Sequence, residues 1–180
     1  MIVYFHGLGS SPNSDKVNRL KALFPSKRVY AFKADIDPEK AKVEVAYQIE
    51  SALVDHFNEP GKVYFIGTSL GAWLASELAD QFKVKALLIN PCYDPVESLK
   101  KYTEVPDSVR NKYTKLDFTK RESDKVYIVD PHDEVIDMEQ LILAMDYCSS
   151  PCYLFPGTGH RFNGPEFESV VKTFVSDFPS

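Results

Sequence analysis

The sequence lacks a long apolar run, since no stretch approaches the roughly 18 residues that a membrane-spanning helix requires. It also has no Lys/Arg-rich block longer than a pair such as Lys100-Lys101, and its formal net charge is −5. We therefore expect neither a membrane nor a nucleic-acid partner. The opening residues, MIVYFHG, show no basic leader and no small-residue cleavage site, so we expect the protein to stay in the cytoplasm.

Cysteine is scarce, with Cys92, Cys148 and Cys152 making up the whole set of 3. An odd number without a CxxC motif predicts reduced thiols and not a disulfide framework. Cys148 and Cys152 have no further ligand-type residues nearby at zinc spacing, so we expect no metal site there. The remaining composition, 44% hydrophobic and 26% charged over 180 residues, is ordinary for one globular domain.

Strand-like and helix-like segments alternate along the chain. In one helical segment, Ala41, Val45 and Ile49 recur at helical spacing after Pro38, with Asp37 as its N-cap. Strands that alternate with helices pair in parallel, and apolar strands such as KVYFI indicate helices on both faces of the sheet. We therefore predict a single-domain, three-layer αβα sandwich with about six strands, all or mostly parallel. The predicted strands are 2–5, 28–33, 62–66, 84–89, 125–129 and 152–155, and the predicted helices are 14–23, 38–56, 70–81, 137–146 and 166–177.

Residues 91–122 interrupt this alternation. The segment is polar, contains Tyr93, Tyr102 and Tyr113, and is too long for a bare connection in a compact domain. We expect an inserted small lid or helical hairpin above the strand ends. Its tyrosines either line a substrate pocket or pack the insert, and Tyr93 is the one that we count among the candidate substrate contacts.

A serine lies between two glycines where a predicted strand becomes a predicted helix. The residues Gly67-Thr68-Ser69-Leu70-Gly71 fit the G-x-S-x-G nucleophile elbow. At such a turn the hydroxyl stands out of the sheet, and side chains at the glycine positions would collide with neighbouring strands. The alternative is a simple strand–helix turn. The strand–turn–helix setting favours a nucleophile.

A serine hydroxyl needs a base, and His160 is the best candidate. It follows the last predicted strand in the loop GTGHRF, and ligands of such sheets bind beyond the carboxyl ends of the strands. His6 follows the first strand and is the competitor. We expect His132 to point outward and His56 to lie at the surface.

The loop after the first strand has a different predicted role. His6 and Gly7 form an HG dipeptide there, which suits a loop that shapes the substrate site and supplies an oxyanion donor, the N–H of Leu8. The second donor is the N–H of Leu70, which lies at a helix N-terminus where developing negative charge is stabilised.

The acid that orients the histidine has more than one candidate after strand 125–129. Asp133 lies a few residues past the strand, before two apolar residues that anchor the loop. Asp130 precedes Pro131 and instead suits a turn cap. Glu134 is expected to be a solvated neighbour and Asp137 the N-cap of the next helix. We favour Asp133.

Five segments spread along the chain carry a family resemblance: IVYFHGLGSSPNSDK, FIGTSLGAW, LLINPCYDP, DPHDEVID and GTGHRF. They resemble those of α/β-hydrolases, and more narrowly the small bacterial YqiA/YcfP-type esterase-like proteins. The resemblance implies a trimmed sheet with strand order 2-1-3-4-5-6 and serine esterase chemistry. It also implies Ser69 as nucleophile, Asp133 as acid and His160 as base, with oxyanion N–H groups from Leu8 and Leu70. Ala72 departs from the pattern, because many relatives carry a third glycine there.

We therefore expect an enzyme that hydrolyses a carboxylic ester or thioester of a small acyl substrate through an acyl-enzyme, with no metal or cofactor. His6, Gly7 and Tyr93 are the expected substrate contacts. The rival interpretations are a lyase or C–C hydrolase with the same three residues, and a non-catalytic binding protein on a hydrolase fold. A weaker one is cysteine chemistry at Cys92. The oligomeric state stays open.

Overall fold

In the computed structural model, which describes residues 1–54, 62–119, 124–146, 148 and 150–176, six strands form one sheet. All neighbouring strands are parallel, in the order β2-β1-β3-β4-β5-β6. The predicted parallel sheet and its strand order are thus confirmed. The strands are β1 (Ile2–Phe5), β2 (Val29–Ala31), β3 (Tyr64–Thr68), β4 (Lys85–Ile89), β5 (Lys125–Val129) and β6 (Cys152–Leu154).

Helices cover both faces of the sheet. Buried residues of α2, α3 and α6 form one core with one face, and those of α1 and α7 form a second core with the other. Within the described part of the chain, no helix is long and apolar enough to cross a membrane. The helices are α1 (Asp15–Leu23), α2 (Pro38–Val54), α3 (Leu70–Phe82), α4 (Pro95–Ser98), α5 (Asp107–Arg110), α6 (Met138–Met145) and α7 (Glu166–Ser176), with a 3₁₀ turn at Leu99–Lys101.

The central strand β3 shows why the sheet needs both helical layers. Phe65 packs into the core on the α2–α3 side, while Tyr64 and Ile66 pack on the α1–α7 side. Successive side chains of a strand point to opposite faces, so an apolar residue at every position is buried only if both faces are covered. Each fully buried large side chain contributes on the order of 1.5–3 kcal/mol.

The register of the strands brings several loops to one edge of the sheet. Phe5 pairs with Gly67, and Thr68 pairs with Ile89. The residues that follow β1, β3 and β4 therefore emerge side by side at the carboxyl edge, where ligands of parallel sheets bind.

The predicted start of α2 is confirmed. Asp37 accepts hydrogen bonds through Oδ1 from the backbone N–H of Glu39, at 3.0 Å, and of Lys40, at 3.4 Å. Pro38 occupies the first helical position, where its missing N–H costs nothing. The predicted end of this helix, with His56, lies outside the described residues, as does the predicted last residue of α7.

The edge strand β2 is shorter than predicted. Only Val29, Tyr30 and Ala31 pair with β1, whose own residues end at Phe5. An edge strand has a neighbour on one side alone, so residues 32 and 33 find no further partner and leave the sheet. This shortens the predicted strand 28–33 by one residue at its start and two at its end.

The insertion after β4 contains α4, the 3₁₀ turn and α5, and it is fixed to the body of the fold. Trp73 donates through Nε1 to the carbonyl of Thr114 at 2.8 Å, and the Tyr113 hydroxyl donates to the carbonyl of Ile36 at 2.7 Å. The rings of Trp73 and Tyr113 meet edge to face at 4.8 Å. Tyr113 therefore packs the insert. A lid role for the segment stays a prediction, and residues 120–123 lie outside the described part.

Candidate active site

Ser69 occupies a strained position between β3 and α3. Its φ of 55° and ψ of −126° lie in a region that a side chain with a Cβ rarely adopts. Such strain persists only where the surrounding structure imposes it, and it is concentrated at functional sites. The turn directs the hydroxyl towards the carboxyl edge of the sheet.

The glycines on either side of Ser69 are required by close backbone approach, as predicted, but one of the two contacts differs. A Cβ at Gly71 would lie 2.3 Å from the carbonyl oxygen of Phe5, at the end of β1. A Cβ at Gly67 would instead lie 2.6 Å from the Cα of Ala72, in α3. The expectation that both glycines avoid neighbouring strands is therefore wrong for Gly67, because α3 turns back directly over it.

Ser69, His160 and Asp133 form a continuous hydrogen-bonded line. His160 Nε2 lies 3.0 Å from Ser69 Oγ, and His160 Nδ1 lies 2.7 Å from Asp133 Oδ2. The Asp133 side chain is fully buried, while 14% of the His160 side chain is exposed. The structure thus brings together three residues from loops that are 91 and 27 residues apart in sequence.

The hydrogen-bond partners of Asp133 determine which atoms donate and which accept in the contacts of His160. Its Oδ1 accepts the backbone N–H groups of Val135, at 2.7 Å, and Ile136, at 2.9 Å. A carboxylate that only accepts hydrogen bonds requires His160 Nδ1 to be the donor. In the neutral ring, Nε2 is then the acceptor, and the Ser69 hydroxyl donates to it.

Asp130, the alternative acid, has a different environment. It is fully buried, and its carboxylate accepts the backbone N–H groups of His132, at 2.9 Å, and Gly159, at 2.6 Å. Burial acts to raise the pKa of Asp130, but these N–H donors outweigh it and lower the pKa below its usual value. Asp130 therefore fixes the loop that carries His160. His132 is exposed, as predicted, with 77% of its side chain accessible.

Asn90 is a residue that the sequence analysis missed. It is fully buried directly after β4, with a positive φ of 42°. Its side-chain amide donates to the carbonyls of Gly159 and His160, both at 3.0 Å, and accepts the N–H of Asp130 at 2.8 Å. One side chain therefore joins the loop of the histidine to the loop of the acid. The INP segment after the predicted strand was the available signal, because a polar residue there lies at the carboxyl edge.

The loop after β1 lies directly against the serine. A Cβ at Gly7 would be 3.1 Å from Ser69 Cβ, so this glycine allows the close approach. In the described part of the chain, the N–H groups of Leu8 and Leu70 have no hydrogen-bond acceptor. His6 donates through Nδ1 to the carbonyl of Gly7, at 3.1 Å, and its Nε2 is buried without a partner among the described residues.

Two grooves lie beside the loop after β1, and Ser69 lines the larger of them. The larger groove, of about 260 Å³, is lined by Ser69, His160, residues 7–10 and residues 14–16. The smaller groove, of about 160 Å³, is lined by residues 6–10, by residues 33–36 with the charged Lys33 and Asp35, and by Leu70 and other residues of α2, α3 and the insert. Gly7 and Leu8 line both grooves, and His6 lines the smaller one.

Tyr93 lines neither groove, although we counted it as a substrate contact. Its ring stacks on Phe118 with 5.6 Å between centroids, and its carbonyl accepts the N–H of Leu116 at 2.9 Å. Asp94 caps α4 by accepting the N–H of Glu97 at 3.1 Å. A contact of Tyr93 with the substrate therefore stays a prediction.

The cysteines have the environment of packed thiols. Burial raises the pKa of Cys92 to about 11 and that of Cys152 to about 12. A thiol with such a pKa is not ionised near neutral pH and is a poor nucleophile. Within the described residues, no group of three or more His, Cys, Asp and Glu side chains is arranged to hold a metal ion.

Several solved structures share this fold. Alpha/beta hydrolase domain-containing protein 10 from mouse matches with a TM-score of 0.70 at 17% identity, covering 98% of this chain and 88% of that one. Est1E from Butyrivibrio proteoclasticus matches with a TM-score of 0.72 at 15% identity, covering 98% and 86%. An esterase from Pyrococcus furiosus matches with a TM-score of 0.77 at 12% identity, covering 99% and 82%. At these identities the likeness establishes the α/β-hydrolase fold alone.

The family is established separately. A model described as Uncharacterised protein family (UPF0227) matches residues 1–164, nearly the whole chain. The matched region contains Ser69, Asp133 and His160 together with all six strands. With its all-parallel sheet and α/β-hydrolase fold, the chain belongs to this UPF0227 family, that of the YqiA/YcfP-type proteins.

Proposed function

We propose that the protein is a serine hydrolase that cleaves a carboxylic ester or thioester of a small acyl substrate through an acyl-enzyme. The observation that carries the proposal is the line from Ser69 Oγ through His160 to Asp133, with contacts of 3.0 and 2.7 Å. Both distances are within the range at which a base removes a hydroxyl proton and an acid orients the base.

The reaction begins when Ser69 Oγ attacks the carbonyl carbon and its proton passes to His160 Nε2. Asp133 stabilises the resulting imidazolium through Nδ1. The carbonyl oxygen becomes an oxyanion, and the N–H groups of Leu8 and Leu70 stabilise it. Leu70 N–H is the first of α3, so the partial positive charge of the helix N-terminus adds to this effect.

The tetrahedral intermediate then collapses. The bond to the leaving oxygen or sulfur breaks, and His160 donates its proton to that atom, which leaves as an alcohol or thiol. Water repeats the sequence on the acyl-enzyme, with His160 first taking and then returning a proton, and releases the carboxylic acid. His160 lines the larger groove but not the smaller one, so the alcohol or thiol part of the substrate lies in the larger groove. The acyl part then lies in the smaller, more apolar groove.

The names of the structural neighbours are in line with this reaction. The Pyrococcus furiosus protein compared above is named as an esterase, and Est1E was also solved with ferulic acid bound. An ester is therefore the first substrate class to test, and a small volume of about 160 Å³ on the acyl side favours short acyl groups.

The test uses a fluorophosphonate probe, which reacts with an activated serine, together with 4-nitrophenyl acetate and butyrate. We expect labelling and hydrolysis by the wild type and neither by Ser69→Ala. If the wild type is neither labelled by the probe nor able to hydrolyse the esters, the result favours a non-catalytic binding protein. A panel of thioester and diketone substrates separates ester hydrolysis from C–C bond cleavage on the same three residues.

A further inference from the structure

Lys16 is a buried cation that borders the larger groove. The residue is only 9% exposed, and its ammonium donates hydrogen bonds to the carbonyl of Arg161 and to Asn163 Oδ1, the latter at 2.6 Å. Both acceptors are neutral. In the described part of the chain, Lys16 forms no ion pair with a carboxylate. A buried ammonium without a counter-charge is costly for a fold, which indicates that an anion is its missing partner.

A hydroxyl without a hydrogen-bond partner borders the same groove as Lys16. Ser14 Oγ is buried, lines the same groove and has no hydrogen-bond partner among the described residues. Ser14 is the N-cap of α1, but its hydroxyl makes no capping hydrogen bond. A buried hydroxyl without a partner destabilises the fold, so a ligand that accepts a hydrogen bond from it would recover that loss.

The charges around the groove reinforce each other. The groove is bordered by the first turn of α1, whose N-terminus carries partial positive charge, and by Arg161. Asp15 is the acidic residue in the lining, but 80% of its side chain is exposed and it lies 3.7 Å from Arg19. Solvent and Arg19 therefore screen its charge, and the buried side of the groove stays positive.

We propose that the larger groove binds an anionic group, a carboxylate or a phosphate, on the alcohol or thiol part of the substrate, with Lys16 as its charge partner and Ser14 as a hydroxyl donor. This inference rests on the proposed function, because His160 in the same groove must protonate that part of the substrate. The proposal extends the substrate class from a small acyl ester to a small acyl ester with an anionic leaving group. Carboxylate and phosphate both accept several charge-assisted hydrogen bonds, so experiment has to separate them.

The test compares three acetate esters whose leaving phenols differ in one substituent: 4-hydroxybenzamide, 4-hydroxybenzoate and 4-hydroxyphenyl phosphate. For the wild type at about pH 7, we expect kcat/KM for at least one anionic ester to exceed that of the neutral amide by 10- to 100-fold, as for a hydrogen bond to a charged group. The carboxylate and phosphate esters, compared with each other, identify which anion the groove prefers.

Lys16→Gln keeps a donor for the two neutral acceptors and removes the charge, so the anionic-to-neutral ratio should fall by about tenfold. Lys16→Arg should keep a ratio well above one. Ser14→Ala should lower the ratio by about threefold. This variant tests the anion site if Lys16→Gln does not fold. Lys21→Met is the matched control, because Lys21 is an exposed lysine of the same helix, and its ratio should equal that of the wild type.

A wild-type ratio near one for both anions, with the neutral ester hydrolysed, would overturn the proposal and leave the proposed function intact. An equal ratio in the wild type and Lys16→Gln would also overturn it. If no ester is hydrolysed, the proposed function fails, and calorimetric titration with inorganic phosphate and with benzoate decides the anion site. Binding to the wild type that is lost in Lys16→Gln would support the site, and no binding to the wild type would overturn it.

Discussion

Asp133 Oδ2 lies 2.7 Å from His160 Nδ1, while the other oxygen of the same carboxylate is held by the backbone N–H groups of Val135 and Ile136. The carboxylate is thus fixed from one side and presents its free oxygen to the imidazole. This arrangement distinguishes Asp133 from Asp130, whose Oδ1 accepts the backbone N–H of His132 in its own loop and whose Oδ2 accepts that of Gly159 in the loop of His160.

Replacing Asp133 by Asn should reduce kcat for ester hydrolysis by about 10⁴-fold, because the amide no longer stabilises the charged imidazole or its correct tautomer. Asp130→Asn should cost much less activity but should lower the free energy of unfolding, since one backbone N–H loses its acceptor. Steady-state kinetics and urea unfolding of both variants give the comparison. Loss of activity in Asp130→Asn beside a nearly silent Asp133→Asn would show that the acid is misassigned.

His160→Gln should lose hydrolysis by several orders of magnitude, because the amide cannot take the proton of Ser69. His132→Gln is the matched control: its side chain is 77% exposed and should leave kcat/KM near the wild-type value. Both variants are measured on one activated ester after circular dichroism confirms the fold. An active His160→Gln enzyme would mean that another group acts as the base.

Asn90→Gly should keep the positive φ of this residue and remove three hydrogen bonds between the loops of β4, Asp130 and His160. We expect the free energy of unfolding to fall by about 1–3 kcal/mol, and kcat to fall with little change in KM, because His160 is less well positioned. Asn18→Ala, at an exposed position of α1, is the control. An unchanged kcat in Asn90→Gly would show that Asn90 does not position His160.

The preference for anionic esters should depend on pH through Lys16. Burial, followed by the charge of Arg19, lowers the pKa of Lys16 to about 8, with Arg161 acting in the same direction and Asp15 opposing it. The other groups near its ammonium are the ring of Phe167, at 5.6 Å, and, across the same groove, His160 and Tyr4.

An ammonium is charged below its pKa, so the anionic-to-neutral ratio of kcat/KM should be high at neutral pH and fall as the pH rises through about 8. Taking the ratio cancels any ionisation that affects both esters equally. The profile is measured from roughly pH 6.5 to 9.5 for the wild type and Lys16→Arg, whose guanidinium stays charged and should give a flat ratio. A wild-type ratio that is equally flat would contradict the account of Lys16.

The local features of this protein are predictable from its sequence, and the distant contacts are not. The helical spacing of α2, its Asp37 cap and the strand–turn–helix setting of Ser69 depend on residues within a few positions of each other. The position of Asp133 and His160 after their strands follows from the rule that parallel strands share a carboxyl edge.

By contrast, Asn90 and His160 are 70 residues apart, and Lys16 and Arg161 are 145 apart. A polar residue after β4 indicates a place at the carboxyl edge, but no local pattern shows which two loops a side chain joins, so both roles emerge only from the folded chain. The stacking of Tyr93 on Phe118 within the insert is likewise not visible in the local sequence, and a contact of Tyr93 with the substrate stays a prediction.

The most direct test of the central claim is the activity of Ser69→Ala. The hydroxyl lies at the surface of a groove and not in the core, so the fold should survive its removal, which thermal unfolding checks. With both proteins purified by the same route, the wild type should hydrolyse 4-nitrophenyl butyrate and bind the fluorophosphonate probe, and Ser69→Ala should do neither. Equal hydrolysis by the two proteins, free of contaminating esterase, would contradict the assignment of Ser69 as the nucleophile.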